Sequence, residues 1–178
     1  MPKTSPARTR PKADEFAPFY TSYIALVPNG SVIRTLERQR SEMKALLAGT
    51  DEARAGHRYA PDKWSIREVI GHVIDSERVF AYRALCFSRA DANMLPGFDE
   101  KAWAGTSNAD QRTLAEMWKD YDPARRSTVA LLRSLSDPMW ERRGTANNYQ
   151  VTVRALAWII AGHERHHLKI LRERYLNS

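Results

Sequence analysis

Apolar residues recur at helical spacing in four stretches of the chain. In the first, Val32, Leu36, Met43 and Leu47 follow a capping Ser31, and Ala48-Gly49 closes the run. The second has the sharpest start: Ser65 and Glu68 make a capping box, Trp64 and Val69 are placed as its hydrophobic staple, and Ile66, Val69, Ile70, Val73, Phe80 and Ala84 carry the stripe to about Arg89. The third runs from Asn108 or Asp110 to about Leu135 on Leu114, Met117, Trp118, Tyr121, Val129, Leu132 and Leu135, with a kink expected near Tyr121 because Pro123 lacks an amide proton. The fourth, Thr152 to Tyr175, puts Leu156, Ile159, Ile160, His163, His167 and Ile170 on one stripe behind a capping Thr152. Ahead of all four, Phe16, Phe19, Tyr20 and Tyr23 form an aromatic cluster expected to pack on the body and to end at the turn Pro28-Asn29-Gly30. No stretch reads convincingly as a strand and no segment repeats. The pattern predicts an all-α four-helix bundle, and connections as long as Ala90 to Ser107 and Ser136 to Val151 favour crossovers over simple hairpins.

Composition bounds this picture without changing it. A chain of 178 residues is expected to form one domain that buries roughly 70% of its unfolded surface, so no metal is needed merely to fold it. Its apolar runs fall far short of the ~20 residues that span a bilayer, and the basic N-terminus lacks the apolar core of a secretory signal. A single cysteine, Cys86, excludes an internal disulfide and fits a reducing cytoplasm. It falls on the side of its helix away from the apolar stripe and is expected to be a bystander. The net charge of +7 invites nucleic acid until it is divided along the chain: Lys3, Arg8, Arg10 and Lys12 precede the first acid, Asp14, and carry more than half of it. The expected organisation is a disordered basic tail over residues 1–13 and a single domain over 14–178, with no specific nucleic-acid partner and no membrane.

Charged and imidazole groups inside the stripes are the chemistry. His163 and His167, four residues apart in mid-stripe, place their Cβ atoms roughly 5–6 Å apart on one face, close enough for both rings to reach one ion. His72 lies on the flank of the second helix, roughly 120° from its apolar centre. At ~1.5 Å per residue it is as far inside the start of that helix as His167 is inside the end of the fourth. Antiparallel helices would therefore bring the three to one level. Three histidines with an open fourth position are the usual composition of a catalytic zinc site; buried neutral histidines satisfied by hydrogen bonds remain the alternative. His166 points off the pair's face and His57 lies in a loop, so neither is expected to be a ligand. Asp75 and Glu164 are placed to support the ligands from behind. Glu77 falls inside an apolar stripe and needs a cation, for which Arg125 is the candidate.

KWSIREVIGHVIDSERVF at 63–80, LPGFDEKAW at 95–103 and AGHERHHLKIL at 161–171 resemble the DinB superfamily, in particular its YfiT-like metal-dependent hydrolases. The resemblance covers nearly all of the chain after Asp14. It implies a four-helix bundle of up-down-down-up topology, a divalent metal, zinc or nickel, and a metal triad matching His72, His163 and His167. It also implies a small-molecule substrate, since relatives include S-transferases that join low-molecular-weight thiols such as bacillithiol or mycothiol to electrophiles. The expectation is a metal-dependent transferase or hydrolase in which no further catalytic side chain can be named. The alternative is a non-enzymatic ligand-binding or dimerising bundle with a structural or vestigial metal. A homodimer through an exposed helix face is compatible with either.

Overall fold

The computed structural model describes residues 5–176. Four long helices dominate it: α1 (Val32–Ala48), α2 (Ile66–Ser88), α3 (Leu114–Arg133) and α4 (Val153–Ile170), the last continuing as a wider π-type turn over Leu171–Leu176. Each begins where a side chain takes up an orphan amide of the first turn. The Ser31 hydroxyl accepts from Arg34, Ser65 and Glu68 form the expected capping box, and Thr152 Oγ1 accepts from the Ala155 amide at 3.0 Å. For α3 the cap is Thr113, boxed with Glu116, so the helix starts later than the sequence reading placed it. Asn108 cannot begin it, because its φ of 51° is left-handed and a short 3₁₀ turn, Ala109–Gln111, intervenes. Pro123 is carried within α3 without a break in the helical run.

Contacts between helices fix their directions. Glu37 pairs with Arg133 and Arg40 with Asp122, so α1 and α3 run antiparallel. The Ser65 hydroxyl meets Asp110 just ahead of α3, and Glu77 meets Arg125, so α2 and α3 run parallel, which their long crossover permits. Tyr175, just past α4, donates to the Trp64 carbonyl at the start of α2, so those two run antiparallel. The bundle is therefore up-down-down-up. α2 faces both α3 and α4, which explains why its buried side is broad enough to include His72.

The absence of strands expected from the sequence is corrected: Arg143–Ala146 (β1) and Tyr149–Thr152 (β2) form an antiparallel hairpin. Asn147 and Asn148 both adopt positive φ, 49° and 65°, the backbone of a tight two-residue hairpin turn that asparagine tolerates. The hairpin lies across the end of α2, where a Cβ on Gly144 would stand 2.0 Å from the Phe87 ring. Leu95 of the 90–107 connection adds to its edge through bonds to Thr145 and Asn147. Cys86 belongs to the same buried cluster as Phe87, Leu95 and Ala146, so the expectation that it faces away from the core is also corrected: the chain folds back after α2, the Asp91 amide bonding to the Cys86 carbonyl.

The expected disordered tail needs a similar correction from Ser5 onward; residues 1–4 lie outside the described residues. Pro6 and Ala7 are buried, and the Arg10 guanidinium donates to the carbonyls of Ile24 and Val27 at 2.6 and 2.7 Å while lying 4.7 Å over the Trp158 ring. Charge alone did not foresee this because the carbonyls that hold Arg10 lie in and just past the end of a short helix, Thr21–Ala25, that follows it. Of the aromatic cluster, Phe16 is buried and Tyr20 and Tyr23 are half-buried, but Phe19 is exposed, its ring set against those of Tyr20 and Tyr149.

Candidate metal centre

α2 and α4 place three imidazoles at one level. Nε2 of His163 lies 2.9 Å from Nε2 of His72 and 3.1 Å from Nε2 of His167, and candidate donor atoms of all three lie within 4.8 Å of one another. All three side chains are buried, His167 least at 8% exposure. Trp64 packs on His72 with ring centroids 4.8 Å apart, while Tyr23 and Phe80 meet His163 at 5.4 and 6.1 Å. Burial, and then the charge of His166, lower the His72 pKa to about 4. Burial first, and then the neighbouring imidazoles, hold His163 and His167 well below the ordinary histidine value. All three rings are therefore neutral at pH 7, the form that binds metal.

This donor set fits a metal better than it fits a hydrogen-bond network. A neutral imidazole nitrogen is either a donor or an acceptor, so His163 Nε2 cannot donate to one neighbour while accepting from the other. A single divalent ion takes all three lone pairs at once. Nitrogens each ~2.0–2.1 Å from one ion lie roughly 3–3.4 Å from one another; the His163–His167 spacing of 3.1 Å falls in that range and the His72–His163 spacing of 2.9 Å just below it.

The residues expected behind the ligands are elsewhere. Asp75 reaches Arg78 at 3.5 Å, and it is Ser76 whose hydroxyl stands 3.5 Å from His72 Nδ1. Glu164 turns from its neighbour His163 into the centre of the bundle, where it accepts from Tyr121 at 2.9 Å and pairs with Arg125. Arg125 also makes the expected bidentate pair with Glu77, both bonds 2.8 Å long, and donates to the Leu36 carbonyl at 2.9 Å. His57 is exposed, and His166 is half-buried with its ring 5.1 Å from those of Tyr23 and His167.

Two contributors escaped the sequence reading. Tyr23 reaches His163 because Gly162 lets the Thr21–Ala25 turn press onto α4: a Cβ there would lie 2.1 Å from the Tyr23 carbonyl oxygen. A glycine directly before a core histidine was the available signal. Lys101, in the short helix Glu100–Thr106 of the 90–107 connection, lines a cavity of about 440 Å³ together with His167, Trp64, Tyr59 and Tyr175.

A bundle of this topology with three neutral, converging imidazoles is a helical scaffold able to hold one divalent metal ion. The chain belongs to the DinB superfamily, whose family model matches residues 35–171 and so spans all three histidines. No curated protein matches it by sequence. Among solved structures it is similar to YfiT from Bacillus subtilis, with a TM-score of 0.71 and 16% identity over 96% of this chain and 93% of that one. That protein is described as a probable metal-dependent hydrolase with an unusual four-helix bundle topology. The likeness shows the fold.

Proposed function

We propose that the protein is a metal-dependent enzyme acting on a small molecule, as a hydrolase or as an S-transferase for a low-molecular-weight thiol, with His72, His163 and His167 as the metal ligands. The observation that carries this reading is the convergence of three neutral Nε2 atoms. Imidazole donors suit zinc and nickel. When bound, the ion supplies Lewis-acid chemistry that lowers the proton affinity of a water or thiol in its remaining positions. The chain's part is to hold the rings: Trp64 and Phe80 flank His72 and His163, and the apolar walls keep all three unprotonated. His167, the most exposed of the three, marks the side from which a substrate arrives.

The test begins with metal analysis of the purified chain, followed by a screen of thiol-plus-electrophile pairs and of esters and amides. One ion per chain, lost in the His163→Ala, His167→Ala double variant together with activity, is the expected result. Stoichiometric metal retained by that variant would sink the site. Metal bound without turnover across the screen would favour the non-enzymatic reading.

A further inference from the structure

The cavity beside His167 carries information about what it accepts. Its walls are Tyr59, Trp64, Val69, Ile170 and Tyr175, with Tyr59 set edge-on to Tyr175 at 4.9 Å, and its charged members are Asp62, Lys63 and Lys101. Asp62 and Lys63 satisfy each other through a 2.5 Å contact. Lys101 has no ion-pair partner among the described residues. Its helix neighbour Glu100 does not share its face and does not line the cavity; it lies close enough to Tyr23 for its charge to add to burial in raising the Tyr23 pKa. Lys101 is exposed at the rim, and its ammonium is the one cation of the lining left without an ion pair among the described residues. Beside it lies a ligand set of three neutral imidazoles, which leaves the full charge of a divalent ion unneutralised by the protein.

We propose, resting on the metal-dependent reading above, that this cavity selects small molecules bearing an anionic group such as a carboxylate, with Lys101 as the counter-ion and the aromatic walls covering an apolar or aromatic body. Lys101 and an ion held by the triad would be two positive centres bordering one aromatic-walled cavity and would discriminate charge: a neutral analogue of the same shape gains the stacking and loses the ionic contact. Lys101 is a binding residue here, and nothing in its placement gives it a proton-transfer role.

The experiment compares benzoate with benzamide, its neutral isostere, by calorimetric titration into the full chain, zinc-loaded and metal-free. Benzoate is expected to bind at least about tenfold more tightly, the scale of one charge-assisted contact. Lys101→Met should erase most of that preference in the metal-free form and weaken it in the zinc-loaded form, and Lys101→Arg should keep it. The metal-free arm separates the two ideas: if no metal is ever taken up, the metal-dependent reading fails while a Lys101-dependent preference still supports the anion site. Equal affinities for the two probes, no binding of either at millimolar concentration, or a preference that Lys101→Met leaves unchanged would overturn the proposal. An unchanged preference confined to the zinc-loaded form would assign the selectivity to the metal alone.

Discussion

The bundle buries two polar clusters within a few residues of each other on the same helices, and they are built on opposite principles. Around Arg125, every strong group is answered: the guanidinium reaches both Glu77 oxygens, Glu164 and the Leu36 carbonyl, and Tyr121 takes the other Glu164 oxygen. All four helices contribute, so this cluster clamps the bundle together. Around His163, three nitrogens point at one place, and His163 Nε2 cannot donate to one neighbour while accepting from the other. A saturated buried network specifies packing, while an arrangement of convergent lone pairs specifies a ligand. Adjacent residues of α4, His163 and Glu164, fall on opposite sides of that division.

The largest effect should come from the saturated cluster. Arg125→Met leaves Glu77 and Glu164 buried without a cation, and breaking a buried pair in this way costs on the order of 3–5 kcal/mol. A clear fall in melting temperature is the expected result, and an unchanged one would show that the clamp is not structural. Next comes the convergent cluster: zinc at a hundred times its dissociation constant should add about 2.7 kcal/mol to stability by mass action. That increment should vanish in His163→Ala, whereas His57→Ala and His166→Ala should keep it.

Between the clusters and the N-terminal segment, Gly162→Ala sharpens the comparison from the backbone side. Its new methyl group would displace the Tyr23 backbone, and overpacking of this kind costs roughly 1–3 kcal/mol. A denaturation midpoint equal to wild type would show that the turn over His163 yields freely.

A weaker effect, and one that separates the clusters by sign, is pH. In the metal-free protein the folded-state pKa of His72 is lowered from 6.5 to about 4, and those of His163 and His167 also fall, so below 6.5 the unfolded chain binds more protons than the folded one. Stability contributed by neutral rings is complete above that value and is lost as pH falls toward 4. Glu164 is shifted upward by burial against the pull of Arg125, so between its ordinary and folded values the folded state binds the extra proton and gains relative stability. Unfolding measured from pH 7 to 4 should show the net loss shrink in His72→Ala; an unchanged slope would remove the histidines from the account.

Local physics made much of this legible in the sequence. Helical periodicity and caps located α1, α2 and the start of α4 within a residue or two, because both arise from neighbours along the chain. The i, i+4 pair and the matching depths of His72 and His167 brought the three imidazoles together, and an apolar stripe interrupted by Glu77 called for Arg125. Only the tertiary structure decided what depends on the placement of one rigid element against another. It turned Glu164 toward Arg125 instead of the histidines, buried Cys86 under a returning connection, laid the Asn147-Asn148 hairpin across the end of α2, and set Tyr23 and Lys101 around the site. Periodicity gives the direction of a side chain relative to its own helix axis. What it meets there is fixed by contacts tens of residues away in sequence, as between Gly162 and Tyr23, where the lack of one methyl group lets two backbones touch.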